Sequence, residues 1–333
     1  MGPLLFLIFI NDLPLCVQKT DILLFADDST LSSFGPTVSS VSEKINFDAQ
    51  IINEWANSNK MVLHCGKTKS MLVTSKPKLA KHDCNLRINI NDSDIEQVSS
   101  AKLLGVYLDS TLSWEKHITH LCSVISSRIG LLNRLAKFVP YTLLRMVYNA
   151  LIFPYFVYCC TVWGSCSSSN LTKLLRLQKR AGRIILGVDR NFPSVSLFMK
   201  LHWLPIFDLI KLRKLSIVHK IIQNKAPANI TSLLTSSKSV TGRSTRSSET
   251  DFFAHKIRTS FGLKKFSYNS AILFNSLPSD IKSTADDLHL SIFKHTLFNY
   301  FSSKLNNVDH IEDLMCYECK TSFLKASCTC IDN

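Results

Sequence analysis

Acidic side chains are scarce in this chain: 25 Asp and Glu stand against 39 Lys and Arg in 333 residues, a formal charge of +14. A surplus of that size on an ordinary apolar composition points to a polyanionic partner, nucleic acid being the commonest. Glycine and proline are also sparse, at ten each. Their low content excludes a collagen-like or Gly/Pro-rich low-complexity chain. No segment recurs at a fixed period, so a solenoid or propeller is excluded as well. No apolar run reaches the roughly 20 residues that span a bilayer. Residues 141–163 come nearest, but Arg145, Asn149 and Pro154 interrupt them. The apolar start, MGPLLFLIFINDLPLCV, lacks a positive leading segment and a small-x-small cleavage site, and Asn11 and Asp12 break it. It therefore does not read as a secretory signal. The eleven cysteines are odd in number, and Cys16, Cys122, Cys159 and Cys160 sit inside apolar runs. That pattern suits buried free thiols in a reducing compartment better than a secreted disulfide framework. The expectation is an intracellular protein, nuclear or cytoplasmic, with no membrane partner.

What is present is a globular composition, 46% hydrophobic and 19% charged, in a chain long enough for two domains. Leu4 to Leu13 has the density of a buried helix ended by Pro14. Ile22–Phe25 and Ser29–Ser33 flank Ala26-Asp27-Asp28 as a β-hairpin with acids at its turn. Val38, Val41, Ile45, Ile52 and Trp55 recur at helical spacing over 38–58. Met71–Thr74, the alternating Leu86, Ile88 and Ile90, and Leu103–Leu108, broken by Gly105, read as strands. Beyond residue 111 helical periodicity dominates. Ile118, Leu121, Cys122, Ile125, Ile129 and Leu132 form a stripe with Ser113 as N-cap, and Pro140 opens the next helix. Segments 170–186 and 207–223 are helical, and His202-Trp203 before Pro205 read as helix-entry packing. The predicted class is α+β, divided into a mixed region 1–110, a helical region 111–230 and a Ser/Thr-rich linker 231–250. A small aromatic-rich module, 251–305, and a cysteine-containing tail, 306–333, complete it.

Asp27 and Asp28 lie between two apolar runs in ILLFADDSTL. Two carboxylates about 5 Å apart repel by roughly 0.8 kcal/mol at water's dielectric, and by about four times that at an effective value of 20. A polar turn explains an isolated pair; a hard cation such as Mg²⁺, which takes carboxylate oxygens together with substrate phosphates, is the chemical alternative.

The pair is not isolated. GPLLFLIFINDLP followed by ILLFADDSTL resembles the palm of a non-LTR (LINE-type) retrotransposon reverse transcriptase, most of all the jockey-like branch. The resemblance implies that Asp27 and Asp28 are catalytic Mg²⁺ ligands and that Phe25 faces the primer end. Leu63 to Lys69 resembles a segment near the incoming triphosphate, which would place Lys67 beside the departing pyrophosphate. Lys102–Val106, with Leu108-Asp109 and Trp114–Ile118, resembles the primer-grip strand and the entry into the thumb. There Gly105 would allow backbone to approach nucleic acid. Phe266-Ser267-Tyr268, Asn275-Ser276-Leu277-Pro278 and Phe293-Lys294 resemble the C-terminal region of the same elements, with Phe274 where Trp is usual. The implied fold is a partial palm, a mostly helical thumb and a small C-terminal module. The implied partners are an RNA template, a DNA primer or product, and deoxynucleoside triphosphates.

A third carboxylate on an upstream strand, which such a palm needs, has no counterpart here; Asp109 falls beyond the primer-grip match. The resemblance therefore implies an RNA-directed DNA polymerase fragment, working by two-metal nucleotidyl transfer and inactive alone without the upstream half of the polymerase. The alternative is a non-catalytic nucleic-acid-binding remnant using the basic helical region. Lys173, Arg176, Lys179, Arg180 and Arg183 share one face of the 170–186 helix, with Leu171, Leu174, Leu175 and Ile185 on the buried side. That face is expected to track a phosphate backbone. Cys316, Cys319, Cys328 and Cys330 form C-x2-C-x8-C-x-C, a candidate Zn²⁺ set whose second pair is tight for tetrahedral ligation; plain reduced thiols are the competing reading.

Overall fold

The computed structural model describes residues 1–81, 84–91, 93–241, 251–287 and 289–305, so the four tail cysteines lie outside the described residues. The chain divides into two compact units, Met1–Ser113 and Trp114–Asn333.

The first unit opens with α1 (Gly2–Ile10) and α2 (Leu13–Cys16). The apolar start is helical, but Pro14 does not end it. Pro14 stands in the first turn of α2, where a missing N–H costs nothing. Nor is α1 a buried helix: only Ile10 is buried, while Leu4, Leu5, Leu7 and Ile8 are between 51% and 67% exposed. Strands β1 (Asp21–Phe25) and β2 (Asp28–Ser32) pair antiparallel, with Ile22 opposite Leu31 and Phe25 opposite Asp28. Alternation sends Ile22, Leu24 and Leu31 onto a cluster of Ile10, Leu13 and Ile52. Helix α3 (Val38–Ser58) begins at Thr37, whose hydroxyl accepts from the Ser40 N–H (3.2 Å). Its buried face carries Asp48, which accepts backbone N–H bonds from Gln18 (3.1 Å) and Lys19 (2.8 Å). This carboxylate ties down the segment that feeds β1. Burial pushes the Asp48 carboxyl up, but the bonds from Gln18, Lys19 and Thr20 outweigh it and leave it below its ordinary value.

The remainder of this unit is α4 (Lys76–Lys81) and two further ribbons, β3 (Asn89–Ile90) with β4 (Ser93–Asp94) and β5 (Ser100–Leu103) with β6 (Val106–Asp109). Leu86, Ile88 and Ile90 are buried with Val41 and Ala49. The strand expected over Met71–Thr74 does not form. Its neighbourhood is held by a Ser70–Gln97 bridge and by the Thr74 N–H donating to the Ser110 carbonyl (2.9 Å). Gly105 does not merely break a strand; it turns one into a hairpin.

The second unit is helical. Helix α5 (Glu115–Leu135) buries Ile118, Leu121, Ile125, Ile129 and Leu132, each at most 5% exposed. Full burial of such side chains contributes about 1.5–3 kcal/mol apiece. The N-cap is not Ser113 but Trp114, with φ 64°. Ser113 is instead held by Asp109, which explains the shift. Helices α6 (Tyr141–Leu151), α7 (Phe153–Val157) and α8 (Cys160–Trp163) follow Pro140, and α9 (Ser168–Leu186) packs along α5. Helix α10 (Ser194–Leu201) leads to Trp203, which stacks on Tyr148 at 4.1 Å. Helix α11 (Ile206–Ile222) is buried around most of its circumference. Between α11 and the closing helices lie α12 (Ala228–Thr231), α13 (Ser237–Thr241) and α14 (Ser260–Leu263). Within the 231–250 stretch α13 is helical and Ser236 bridges Phe252, while 242–250 fall outside the described residues. Helices α15 (Phe266–Asn275), α16 (Ser279–Asp287) and α17 (Leu290–Leu305) all pack against α11.

The seven described cysteines are free thiols. Of the four expected to be buried only Cys160 is; Cys16, Cys122 and Cys159 are half-buried. Cys122 lies one position past Leu121 and so rotates to the edge of the α5 stripe. No described helix is long and apolar enough to cross a membrane.

Candidate functional site

The β1–β2 hairpin closes with Phe25 opposite Asp28, leaving Ala26 and Asp27 as its two-residue tip, with Ala26 at φ 52°. Asp28 shares with Phe25 and Leu23 the face turned away from Ile22, Leu24 and Leu31. Asp27 and Asp28 are both exposed, and Phe25 is 65% exposed. The hairpin thus presents two adjacent carboxylates beside an uncovered aromatic ring. No salt bridge among the described residues involves either acid. Their hard oxygens fit Mg²⁺, an ion commonly held by one or two carboxylates with substrate phosphates and water supplying the rest. Among the described residues no group of three or more His, Cys, Asp or Glu side chains could hold a metal. The pair is therefore a partial donor set.

Lys67 lies in a tight turn. Its N–H donates to the His64 carbonyl (3.0 Å) and Nδ1 (3.3 Å), and its side chain is exposed. Lys69, by contrast, is tied to Glu96. Gly105 has φ 83° and follows Leu104 at φ 46°, and the two form the tip between Leu103 and Val106. Two consecutive positive φ values are the requirement of a type I′ hairpin turn, so the turn itself accounts for the glycine. Asp109 is engaged locally. Its Oδ1 accepts from the Thr111 N–H (3.1 Å), the Thr111 hydroxyl (2.7 Å) and the Ser113 N–H (3.0 Å), and its Oδ2 from the Ser113 hydroxyl (3.2 Å). That is a capped turn at the entry to α5.

On α9 the buried side is as expected, with Leu171, Leu174, Leu175 and Ile185 at most 3% exposed. The basic side is graded. Lys173, Arg176 and Arg180 are exposed and Arg183 is half-buried, while Lys179 is 8% exposed. Lys173 Nζ donates to Asn170 Oδ1 (2.9 Å), and Arg183 Nη2 donates to the Phe192 carbonyl (3.4 Å). Arg183 Nε is buried without a hydrogen-bond partner.

This face lines a cleft of about 770 Å³ between the end of α5, α9 and the segment after it. Arg176, Lys179, Arg180 and Arg183 come from α9, and Lys137 and Arg190 join them from the two flanking turns. No acid lines it. Helix periodicity could not reveal Lys137 or Arg190, since both lie outside the helices; a cation just beyond a helix-ending Gly187 was the only signal for Arg190. Two unit charges about 8 Å apart repel by roughly 0.5 kcal/mol at water's dielectric, so the cluster costs stability in each of its pairs. Helix C-termini offset part of this, each carrying about half a negative charge. The α9 end, however, is already capped, its Arg183 and Ile184 carbonyls accepting from Gly187 and Val188 N–H groups.

No family model matches the chain, and no solved structure matches it. Among curated proteins it is 24% identical over 218 residues to the probable RNA-directed DNA polymerase from transposon X-element of Drosophila melanogaster, covering 63% of this chain and 23% of that protein. It is 26% identical over 197 residues to the RNA-directed DNA polymerase from mobile element jockey of Drosophila funebris, covering 56% and 21%. It is 25% identical over 138 residues to the retrovirus-related Pol polyprotein from type-1 retrotransposable element R1 of Bradysia coprophila, covering 41% and 13%. The chain spans about a fifth of the length of the first two.

Proposed function

We propose that this chain, which resembles the reverse transcriptases of jockey-like and other non-LTR retrotransposons, is the portion of an RNA-directed DNA polymerase that carries the catalytic hairpin and the helices following it. The observation that carries this reading is the pair of exposed, adjacent aspartates at the tip of a hairpin whose other face is packed. In this reading residues 1–110 are a partial palm and 111–230 a thumb-like region, with 251–305 as its C-terminal module. Asp27 and Asp28 hold Mg²⁺, which when bound supplies the charge that activates a 3′-hydroxyl and stabilises the leaving pyrophosphate. Lys67 offers an ammonium to the departing pyrophosphate, Phe25 lies against the primer end, and the exposed cations of α9 follow the phosphate backbone. The substrates are deoxynucleoside triphosphates on an RNA template with a DNA primer. Two carboxylates, with no third beside them among the described residues, give weak metal binding and little transition-state stabilisation, so in this reading the chain alone is inactive.

The test is a titration with Mn²⁺, a paramagnetic stand-in for Mg²⁺, read by electron paramagnetic resonance, alongside primer extension on RNA. A weak Mn²⁺ site that disappears in Asp27→Asn/Asp28→Asn, with no extension by the chain alone, is the expected result. Mn²⁺ binding unchanged in that variant would overturn the assignment of the site, and extension that survives it would overturn the mechanism.

A further inference from the structure

The cleft beside α9 differs from a solvated helix face in three ways. Its six cations come from three separate stretches of chain, and Lys137 and Arg190 reach it from turns rather than from the helix. One guanidinium nitrogen, Arg183 Nε, is buried there without a hydrogen-bond partner. Beside Lys137, in the turn that closes α5, Phe138 is 82% exposed. Phe138 follows Lys137 in the chain, and its ring is left in water rather than packed. At about 770 Å³ the cleft falls within the size range of pockets that hold ligands.

We propose that this cleft is a binding site for single-stranded nucleic acid. Lys137, Arg190 and the α9 arginines hold successive phosphates, and Phe138 at the rim offers a platform on which one base stacks. Cations that track the backbone beside an exposed aromatic ring are the combination by which single strands are held without sequence preference, because every base has a π-face. No aromatic residue lines the cleft itself, so phosphates are gripped inside and the base stacks at the edge. The proposal deepens the nucleic-acid side of the polymerase reading and rests on it only for the class of ligand. It needs neither Asp27 nor Asp28, and its decisive variants are at Lys137, Phe138 and Arg190, which that reading does not use.

The experiment is fluorescence anisotropy of the full chain with labelled oligothymidylate of about 20 nucleotides, longer than the roughly 4–16 nucleotides that one single-strand site covers. A duplex of equal length serves as comparison, each over a series of salt concentrations. Lys137, Phe138 and Arg190 are all exposed, and a thermal melt of each variant checks that the fold is kept. Lys137→Ala/Arg190→Ala is expected to flatten the single-strand salt slope by roughly 1.4, at about 0.7 per lost contact. Phe138→Ala is expected to weaken single-strand binding roughly five- to 150-fold, the equivalent of one base's stacking, while Phe138→Trp retains it. Duplex is expected to bind more weakly and to ignore Phe138. Wild-type affinity and slope in these variants, together with loss of binding on Arg176→Ala/Arg180→Ala, would leave the α9 face as the contact and overturn the cleft. Equal loss of single-strand and duplex binding on Lys137→Ala/Arg190→Ala, with no effect of Phe138→Ala, would reduce the site to unspecific charge and overturn it too.

Discussion

His117 is a residue whose chemistry burial resets. It stands in the first turn of α5, where a histidine reads as a surface group, yet it is 2% exposed and lies 6.0 Å from the Trp163 ring. Burial, and secondarily the charge of nearby His120, push its imidazole down to about 4. The unfolded chain takes up a proton near pH 6.5 that the folded chain refuses until about pH 4. Stability from this group is therefore complete above about pH 6.5 and is lost as pH falls toward 4. His117→Leu is expected to remove that dependence, flattening the stability curve by on the order of 1–2 kcal/mol across the window. Urea melts at pH 7 and pH 4.5 measure it, and equal losses in the variant and the parent would refute it. Asp48 illustrates the same scale in the other unit: one buried carboxylate, satisfied by backbone N–H groups of Gln18 and Lys19, positions the segment entering the β1–β2 hairpin.

At the level of elements, hairpins and helices were legible to different degrees. The 38–58 helix was read with its observed bounds, because a 3.6-residue apolar period is a local property and Thr37 provides a local start signal. The β1–β2 hairpin was read nearly to the residue for the same reason. The β5–β6 hairpin was read as one interrupted strand, since the signal lay in two successive positive φ values at Leu104 and Gly105, and only glycine announces itself at such a position. That turn gives a prediction with two distinguishable causes. If Gly105 serves the turn, Gly105→Ala destabilises the chain by about 1 kcal/mol, seen as a lower denaturant midpoint. If it serves only close approach to nucleic acid, the midpoint stays and binding alone falls.

For the whole molecule the apolar surface of the first unit stands out. Leu4, Leu5, Leu7 and Ile8 on α1, with Leu23 and Phe25 on the outer face of the hairpin, are all more than half exposed. A helix apolar on all sides is ordinarily covered, and exposed patches of this kind mark association surfaces. The chain is expected to bind a hydrophobic dye such as ANS in its folded state. Leu4→Glu/Ile8→Lys should cut that fluorescence severalfold while leaving the melt cooperative; unchanged dye binding would refute the assignment of this surface.

Composition and local pattern were enough to establish a basic, globular α+β chain, its helical second half, the acidic hairpin and the likeness to reverse transcriptases, because each rests on residue types and short spacings. Burial could not be read the same way. The local pattern reads α1 as buried and puts Lys179 on the solvent face of its helix, whereas the tertiary structure reverses both. It also gave Asp109 to a turn and brought Lys137 and Arg190 beside α9. Which side of a helix meets water, and which distant turns share a cleft, depend on what packs against it, and that is decided only when elements far apart in the chain come together.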